Sequence, residues 1–366
     1  MRDLTQVIQK LIDKDNFTQK ESVEIMDYIL TGKPSDAELA AFLTAMRLKG
    51  EDQTELLGMS ASIRKHAIKV KAPSTHLVDT CGTGGCLMDT FNISTLAAFV
   101  AAAAGVRVAK QVYADPEYGC SSLRLLARLG INIQQAPEKM LKLLNKTGIT
   151  FLYLPVFHPR LMPLVKVSRQ IGFRNILNTL FPLSNPLRLQ GQILGVFNEK
   201  NTTLLSTVLR AQNLKRAFVF HGVEGLDEIS ISAETRISEL RAGVINTSLF
   251  NPEQLNLVPE SVSALQCANA SDSAQICKAI LSGREDSART DTVALNAAAA
   301  MVASGLANDF ASSFYKAKSL ILSGKAYDKL AAVADFLSSS AKKRTVPVAK
   351  KTKPERKLLK KKRFKA

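Results

Sequence analysis

The stretch Asp79-Thr-Cys-Gly-Thr-Gly-Gly-Cys-Leu-Met-Asp-Thr-Phe-Asn-Ile-Ser-Thr95 holds the residues best placed to do chemistry. Three glycines, Gly82, Gly84 and Gly85, let backbone N–H groups approach an anion, and Asn92, Ser94 and Thr95 begin the segment that follows. A helix N-terminus carrying hydroxyls and unbonded amides attracts phosphate. No Gly-Lys-Ser/Thr stands at the required spacing, so this is not a Walker-type nucleotide loop. Local physics leaves two readings open, a phosphate cradle or a tight turn followed by an N-cap. Other reactive residue types are sparse. The five cysteines (81, 86, 120, 267 and 277) form no C-x-x-C pair, and the four histidines show no metal-ligand spacing. This pattern gives no support to a zinc site, and the odd count speaks against a disulfide framework. Cys81, Cys86 and Cys120 read as small packing residues, His158 and His221 as structural ones, and a cytoplasmic setting follows.

The elements that must position these residues come in two patterns. Up to about residue 70 the chain reads as helices. Val7, Ile8, Leu11 and Ile12 repeat at helical spacing; Thr18 could N-cap a helix over 20–32; Ser35 opens one over 36–49 that Gly50 stops; a fourth covers 53–68. Beyond that, apolar and β-branched runs at 76–80, 106–112, 131–134, 149–154, 192–197 and 217–220 alternate with helical stretches such as 94–104 and 120–129. Alternation of this kind predicts a mostly parallel sheet covered on both faces. Residues 287–340 close the chain with two or three helices, the first Ala-rich over 296–307. The expected fold class is therefore α/β: a small all-helical N-terminal subdomain (1–72, with helices from about 165–185 packing on it), a large domain with a mostly parallel central sheet (73–340), and a basic tail (341–366).

Charge separates that tail from the rest. The 366-residue chain carries +17, with a pI near 9.7, which invites a polyanionic partner. Ala341 to Ala366 holds 13 Lys/Arg and a single acid, Glu355, so it supplies +12 of that charge and leaves +5 on the 340 residues before it. Lys350, Lys351, Lys353, Arg356, Lys357, Lys360, Lys361, Lys362 and Arg363 could neutralise nucleic-acid backbone without reading sequence, and binding would fall steeply with salt. Solubilising extension and membrane-surface contact are the other readings of the same residues. The N-terminus shows no secretory pattern, and the longest apolar run, 96–106, is far short of the roughly 20 residues of a membrane span.

Several ordered motifs carry a family resemblance. Gly82-Thr-Gly-Gly85, Phe91-Asn-Ile-Ser-Thr95, Val108-Ala-Lys110, His158-Pro159, Arg169-Gln-Ile-Gly-Phe-Arg174 with Asn178 and Pro182-Leu183, Gly225-Leu-Asp-Glu-Ile-Ser230 with Thr235, Asn296 and Ser323-Gly-Lys-Ala326 together resemble the anthranilate phosphoribosyltransferases. The likeness spans about residues 3 to 335. It implies a helical subdomain joined to an α/β domain, a homodimer, and Mg²⁺-dependent transfer of phosphoribose from phosphoribosyl pyrophosphate (PRPP) to an aromatic amine acceptor. Carried over by position, Gly82, Gly85, Thr90, Asn92, Ser94, Thr95, Lys110 and Ser122 would contact PRPP, Arg169 would face the anthranilate carboxylate, and Ser94, Asp227 and Glu228 would hold Mg²⁺. The chemistry of those residues agrees: adjacent carboxylates suit Mg²⁺ bound to phosphates, and arginine suits a planar carboxylate. Without the resemblance, Asp227-Glu228 would read as a solvated turn.

The chain also departs from the family pattern. Cys86-Leu87 stands where the family has Asp-Gly, and Lys110-Gln-Val-Tyr-Ala-Asp-Pro-Glu-Tyr118 replaces K-H-G-N-R-S-V-S-S. Tyr113 thus takes the place of an anthranilate-contacting Asn, Asp115 and Glu117 would repel pyrophosphate, and Phe181 replaces the Gly before Pro182. The expectation is a phosphoribosyltransferase whose changed loop weakens or abolishes activity. The competing reading is a non-catalytic nucleic-acid-binding protein on the same scaffold, and a third is an interaction protein with no ligand.

Overall fold

A computed structural model describes residues 4–73, 75–84, 89–113 and 120–342, with side chains through 339. Four helices open the chain: α1 (Thr5–Ile12), α2 (Gln19–Ile29), α3 (Asp36–Lys49) and α4 (Gln53–His66). The last three start on capping boxes, Thr18 with Glu21, Ser35 with Glu38 and Asp52 with Glu55, each satisfying two otherwise unbonded donors. Glu55 has a second task. Fully buried, it pairs with Lys49 at 2.9 Å and accepts the Phe17 amide at 3.1 Å, tying three segments of the bundle together. Helices α2 and α4 end two to three residues before the predicted limits, as frayed ends usually do.

The remainder alternates: β1 (Leu77–Asp79), α5 (Ile93–Ala103), β2 (Arg107–Val112), α6 (Ser122–Arg128), α7 (Pro137–Thr147), β3 (Ile149–Tyr153), α8 (Leu154–Phe157), α9 (Met162–Ile171), α10 (Ile176–Leu180), β4 (Gly191–Gly195), α11 (Asn201–Ala211) and β5 (Arg216–Gly222). A hairpin of β6 (Thr235–Arg241) and β7 (Val244–Phe250) follows, then α12 (Ala270–Leu281), α13 (Ala288–Ala303), α14 (Phe310–Leu322) and α15 (Lys325–Lys342). The seven strands among the described residues form one sheet in the order β3-β2-β1-β4-β5-β6-β7, parallel as far as β5 and antiparallel beyond it. One face is covered by Ala-rich α5 and α13, whose small side chains allow close approach to the strands. On the other face, Leu194 and Val219 share a core with the N-terminal helices, with α11, and with Leu164, Val165, Ile176 and Leu180 of α9 and α10.

Two sequence expectations need correcting. Residues 131–134 form no strand: Ile131 and Ile133 are buried and Asn132 and Gln134 exposed, but the segment pairs with no neighbour and only links α6 to α7. The β6–β7 hairpin was not anticipated, because half of its residues face solvent and its apolar alternation is broken. The site-determining feature is β1, which lies between β2 and β4. The chain moves outward from β1 to β3 on one side and returns to β4 on the other, and a ligand crevice opens outside the strand ends at such a reversal.

His158, between α8 and α9, is 3% exposed, and burial pulls its imidazole from the ordinary 6.5 down to about 4. The unfolded chain therefore takes up this proton first. The neutral ring contributes its full stabilisation above pH 6.5 and loses it as pH falls toward 4, a change of up to about 3 kcal/mol. Denaturant titrations of wild type and His158→Gln across that window are expected to differ in pH slope; identical slopes would contradict it.

Candidate active site

Lys110, near the end of β2, is 3% exposed, and its Nζ donates to Thr80 O at 2.7 Å and Ser94 Oγ at 3.1 Å. Its charge acts on three carboxylates. Asp79, at the end of β1, is fully buried and accepts from Asn185 Nδ2 (2.8 Å), Cys81 N (3.0 Å), Gln111 N and Gln111 Nε2 (both 3.2 Å). Burial pushes its carboxyl up, while the Asn185 bond and the Lys110 charge hold it down. Asp227 and Glu228 come from the loop between β5 and β6. Burial raises both, opposed at Asp227 chiefly by Arg174, and the adjacent Asp227 charge raises Glu228 further. Glu228 Oε1 accepts the Ser94 amide at 3.2 Å. Two neighbouring carboxylates whose ionised forms are unfavourable together, with a hydroxyl alongside, make an oxygen set that fits a hard divalent cation.

Backbone geometry brings this about. Gly195 ends β4 with its α-carbon against the Asp227 carbonyl, so no side chain fits there. Gly82 packs against Gly195, where an added Cβ would lie 2.9 Å from the Gly195 carbonyl, and Thr83 N donates to that same carbonyl at 2.9 Å. The glycine loop therefore crosses the end of β4 at backbone contact, and Gly84 continues it at φ +65°.

Of the sequence-predicted residues, Gly82, Thr90, Asn92, Ser94, Lys110, Ser122, Arg169, Asp227 and Glu228 line one cleft of about 640 Å³. Thr95 stands behind the wall, fully buried, with Oγ1 3.2 Å from Ser122 Oγ. Asn92 does not cap α5 with its side chain; it donates to Cys120 O at 2.6 Å and accepts from Ser273 Oγ at 2.9 Å. Gly85, Cys86-Leu87, Asp115 and Glu117 lie outside the described residues, as do Lys350, Lys351, Lys353, Arg356, Lys357, Lys360, Lys361, Lys362 and Arg363. Sequence reasoning passed over Asp79, Gly195 and the role of Arg174. The last was legible within Arg169-Gln-Ile-Gly-Phe-Arg174, whereas the first two show only once β1, β4 and the 227 loop meet.

At the other end of the cleft Tyr113 and Phe181, the two aromatic departures noted above, pack on each other with centroids 5.7 Å apart. Arg169 lies over the Tyr113 ring at 5.7 Å, and Arg174 lies over Phe197 at 4.2 Å while bonding Gly84 O. A planar anionic ligand would meet a guanidinium and an aromatic wall here. Among the described residues no helix is long and apolar enough to cross a membrane.

Comparison with known proteins agrees with this arrangement. The profile described as "Glycosyl transferase family, helical bundle domain" matches residues 5–67, and that described as "Glycosyl transferase family, a/b domain" matches 74–327. The anthranilate phosphoribosyltransferase of Desulfatibacillum aliphaticivorans is 39% identical over 332 residues, 91% of this chain and 98% of that protein. That of Moorella thermoacetica is 40% identical over 334 residues, again 91% and 98%. The crystal structure of the Thermus thermophilus enzyme superposes with a TM-score of 0.85 at 31% identity, covering 90% of this chain and 99% of its own. The Saccharomyces cerevisiae enzyme in complex with PRPP and Mg shares the fold, with a TM-score of 0.81 at 23% identity over 92% of this chain and 98% of its own.

The contact between Gly195 and the Asp227 backbone sets an expectation. Gly195→Ala must push the 227 loop away or bend β4, an overpacking that costs about 1–3 kcal/mol. Thermal unfolding should shift down by several degrees, whereas Gly243→Ala, in the exposed β6–β7 turn at φ +83°, tests backbone strain with nothing within 4 Å of its added Cβ. An unshifted melting curve for Gly195→Ala would rule out the close approach.

Proposed function

The chain belongs to the anthranilate phosphoribosyltransferase family, and from that premise we propose that it transfers phosphoribose from PRPP to anthranilate in a Mg²⁺-dependent reaction. The observation that carries this reading is the cluster of Lys110, Ser94, Asp227 and Glu228 at the switch point, beside the glycine loop. Mg²⁺ held by Ser94, Asp227 and Glu228 would neutralise pyrophosphate charge as that group departs. The protein's own residues do the rest. Gly82 and Gly84 of the glycine loop line the cleft and offer backbone amides to phosphate oxygens, whereas the amides at the start of α5 are already bonded within the protein. The buried Lys110 ammonium holds Ser94 and the strand ends in place. Arg169, over the Tyr113 ring, would present a guanidinium to the acceptor carboxylate. With the amine nitrogen held in line with the ribose C1, its lone pair forms the new C–N bond as the C–O bond to pyrophosphate breaks, and the amine proton goes to solvent. Positioning supplies most of the acceleration.

Homodimer formation and cytoplasmic residence belong to the same reading. Ile12 and Leu48, exposed on the neighbouring helices α1 and α3, offer apolar surface for a second copy. The +12 charge of residues 341–366 offers a salt-sensitive contact to nucleic acid that adds to the transferase reaction and does not replace it.

Asp227→Asn combined with Glu228→Gln is expected to lower kcat/KM for PRPP by about 100-fold or more and to abolish the Mg²⁺ dependence of PRPP binding in calorimetry. Because the cation must displace the proton that burial keeps on the wild-type pair, its affinity there should rise with pH. Mg²⁺-dependent PRPP binding that survives in the double variant would overturn this assignment.

A further inference from the structure

Two cysteines that the reaction does not use meet at the rim of the cleft. Cys120 Sγ and Cys267 Sγ lie 2.7 Å apart although 147 residues separate them in sequence. A disulfide bond measures about 2.05 Å, so the two sulfurs need close by only about 0.7 Å to be bonded. Both backbones are already lashed to the same segment. Cys267 N donates to Asp89 O at 2.9 Å, Gln266 pairs with Thr90 in an antiparallel bridge, and Phe91 N donates to Leu265 O at 3.1 Å. Cys120 O accepts from Asn92 Nδ2, whose Oδ1 is held by Ser273 at the start of α12. The neighbouring Ser121 and Ser122 line the cleft with Asn92 and Thr90. Any strain between the two sulfurs is therefore felt at the residues facing the phosphate end.

The two thiols are unequal. Cys120 is half-buried and lines the cleft, while Cys267 is 7% exposed. Burial, and then the hydrogen bond with Cys120, hold the proton on Cys267. An oxidant entering the cleft meets Cys120 first, with a second sulfur already in contact behind it.

We propose that Cys120 and Cys267 form a redox site whose disulfide state weakens PRPP binding. The oxidant is a peroxide. Cys120 sulfur attacks one peroxide oxygen, the O–O bond breaks, the sulfur loses two electrons to become a sulfenic acid, and the remaining oxygen leaves as water or alcohol. Cys267 sulfur then attacks the Cys120 sulfur, the S–OH bond breaks, the Cys267 proton joins the departing hydroxide as water, and the S–S bond forms. A small-molecule dithiol reverses the change by exchange. In a reducing compartment such a bond is transient, which suits a control and not a structural framework. Closing it pulls the 120–122 segment toward Cys267, away from the geometry in which Asn92 and Ser122 face the cleft.

The test uses the full chain. After hydrogen peroxide treatment, alkylation and non-reducing digestion, mass spectrometry should find one peptide pair linking residues 120 and 267, lost on adding dithiothreitol. The affinity for PRPP, read by calorimetry, should fall by about threefold or more on oxidation and recover on reduction. Cys267→Ser, or Cys267→Ala if the hydroxyl unsettles the buried position, should give neither the linked pair nor the peroxide response. Absence of the 120–267 link, or linkage of Cys120 to another cysteine, overturns the site. A link that leaves PRPP affinity unchanged overturns its control of the cleft. The affinity arm rests on the transferase reading; the mass measurement stands apart from it, so the two fail separately.

Discussion

One buried ammonium facing three carboxylates is the constraint on which the site depends. Lys110 is held by a carbonyl and a hydroxyl, and its charge acts on Asp79, Asp227 and Glu228. Charges sequestered from water are stable only when partnered. Asp79 is satisfied from four donors and acts as a structural clasp between β1, β2 and the 185 segment. Asp227 and Glu228 have no such ring of donors. Burial raises both carboxyls and the Asp227 charge raises Glu228 further, so a divalent cation in the cleft would let the two ionise together beside a phosphate ligand.

The rest of the architecture brings these charges together. Strand order places the ends of β1, β2 and β4 side by side, and Gly82 and Gly195 let the glycine loop and the 227 loop touch backbone to backbone. The second core, shared by the N-terminal helices with α9 and α10, carries Arg169 and Phe181 to the opposite wall. Here the two aromatic departures from the family pattern answer each other. Phe181 is 7% exposed and belongs to that core, and Tyr113 packs against it under the Arg169 guanidinium. Together they form a continuous wall of rings at that end of the cleft, where the family pattern has a hydrogen-bonding amide at position 113.

Much of this is legible in the sequence. Thr18 and Ser35 announced two helices because a capping residue ahead of a helical run is a local signal. Gly82, Ser94 and Lys110 were legible as parts of ordered motifs. The hairpin of β6 and β7 was not, since Val244, Asn246 and Ser248 are not buried and leave no clean alternation. Ile131 and Ile133 misled for the opposite reason: they alternate like a strand but bury against helices without a ladder partner. The contacts of Gly195 with Asp227 and of Asp79 with Gln111 and Asn185 join residues more than 30 positions apart, which no local pattern encodes.

The measurement that bears most directly on the central cluster is an anomalous difference map from crystals grown with Mn²⁺ and PRPP. A peak between the carboxylates of Asp227 and Glu228 and the Ser94 hydroxyl, with PRPP phosphates beside it, is the result this account predicts. A cleft that holds PRPP with no metal peak at those oxygens, or a peak at another set of residues, would contradict it.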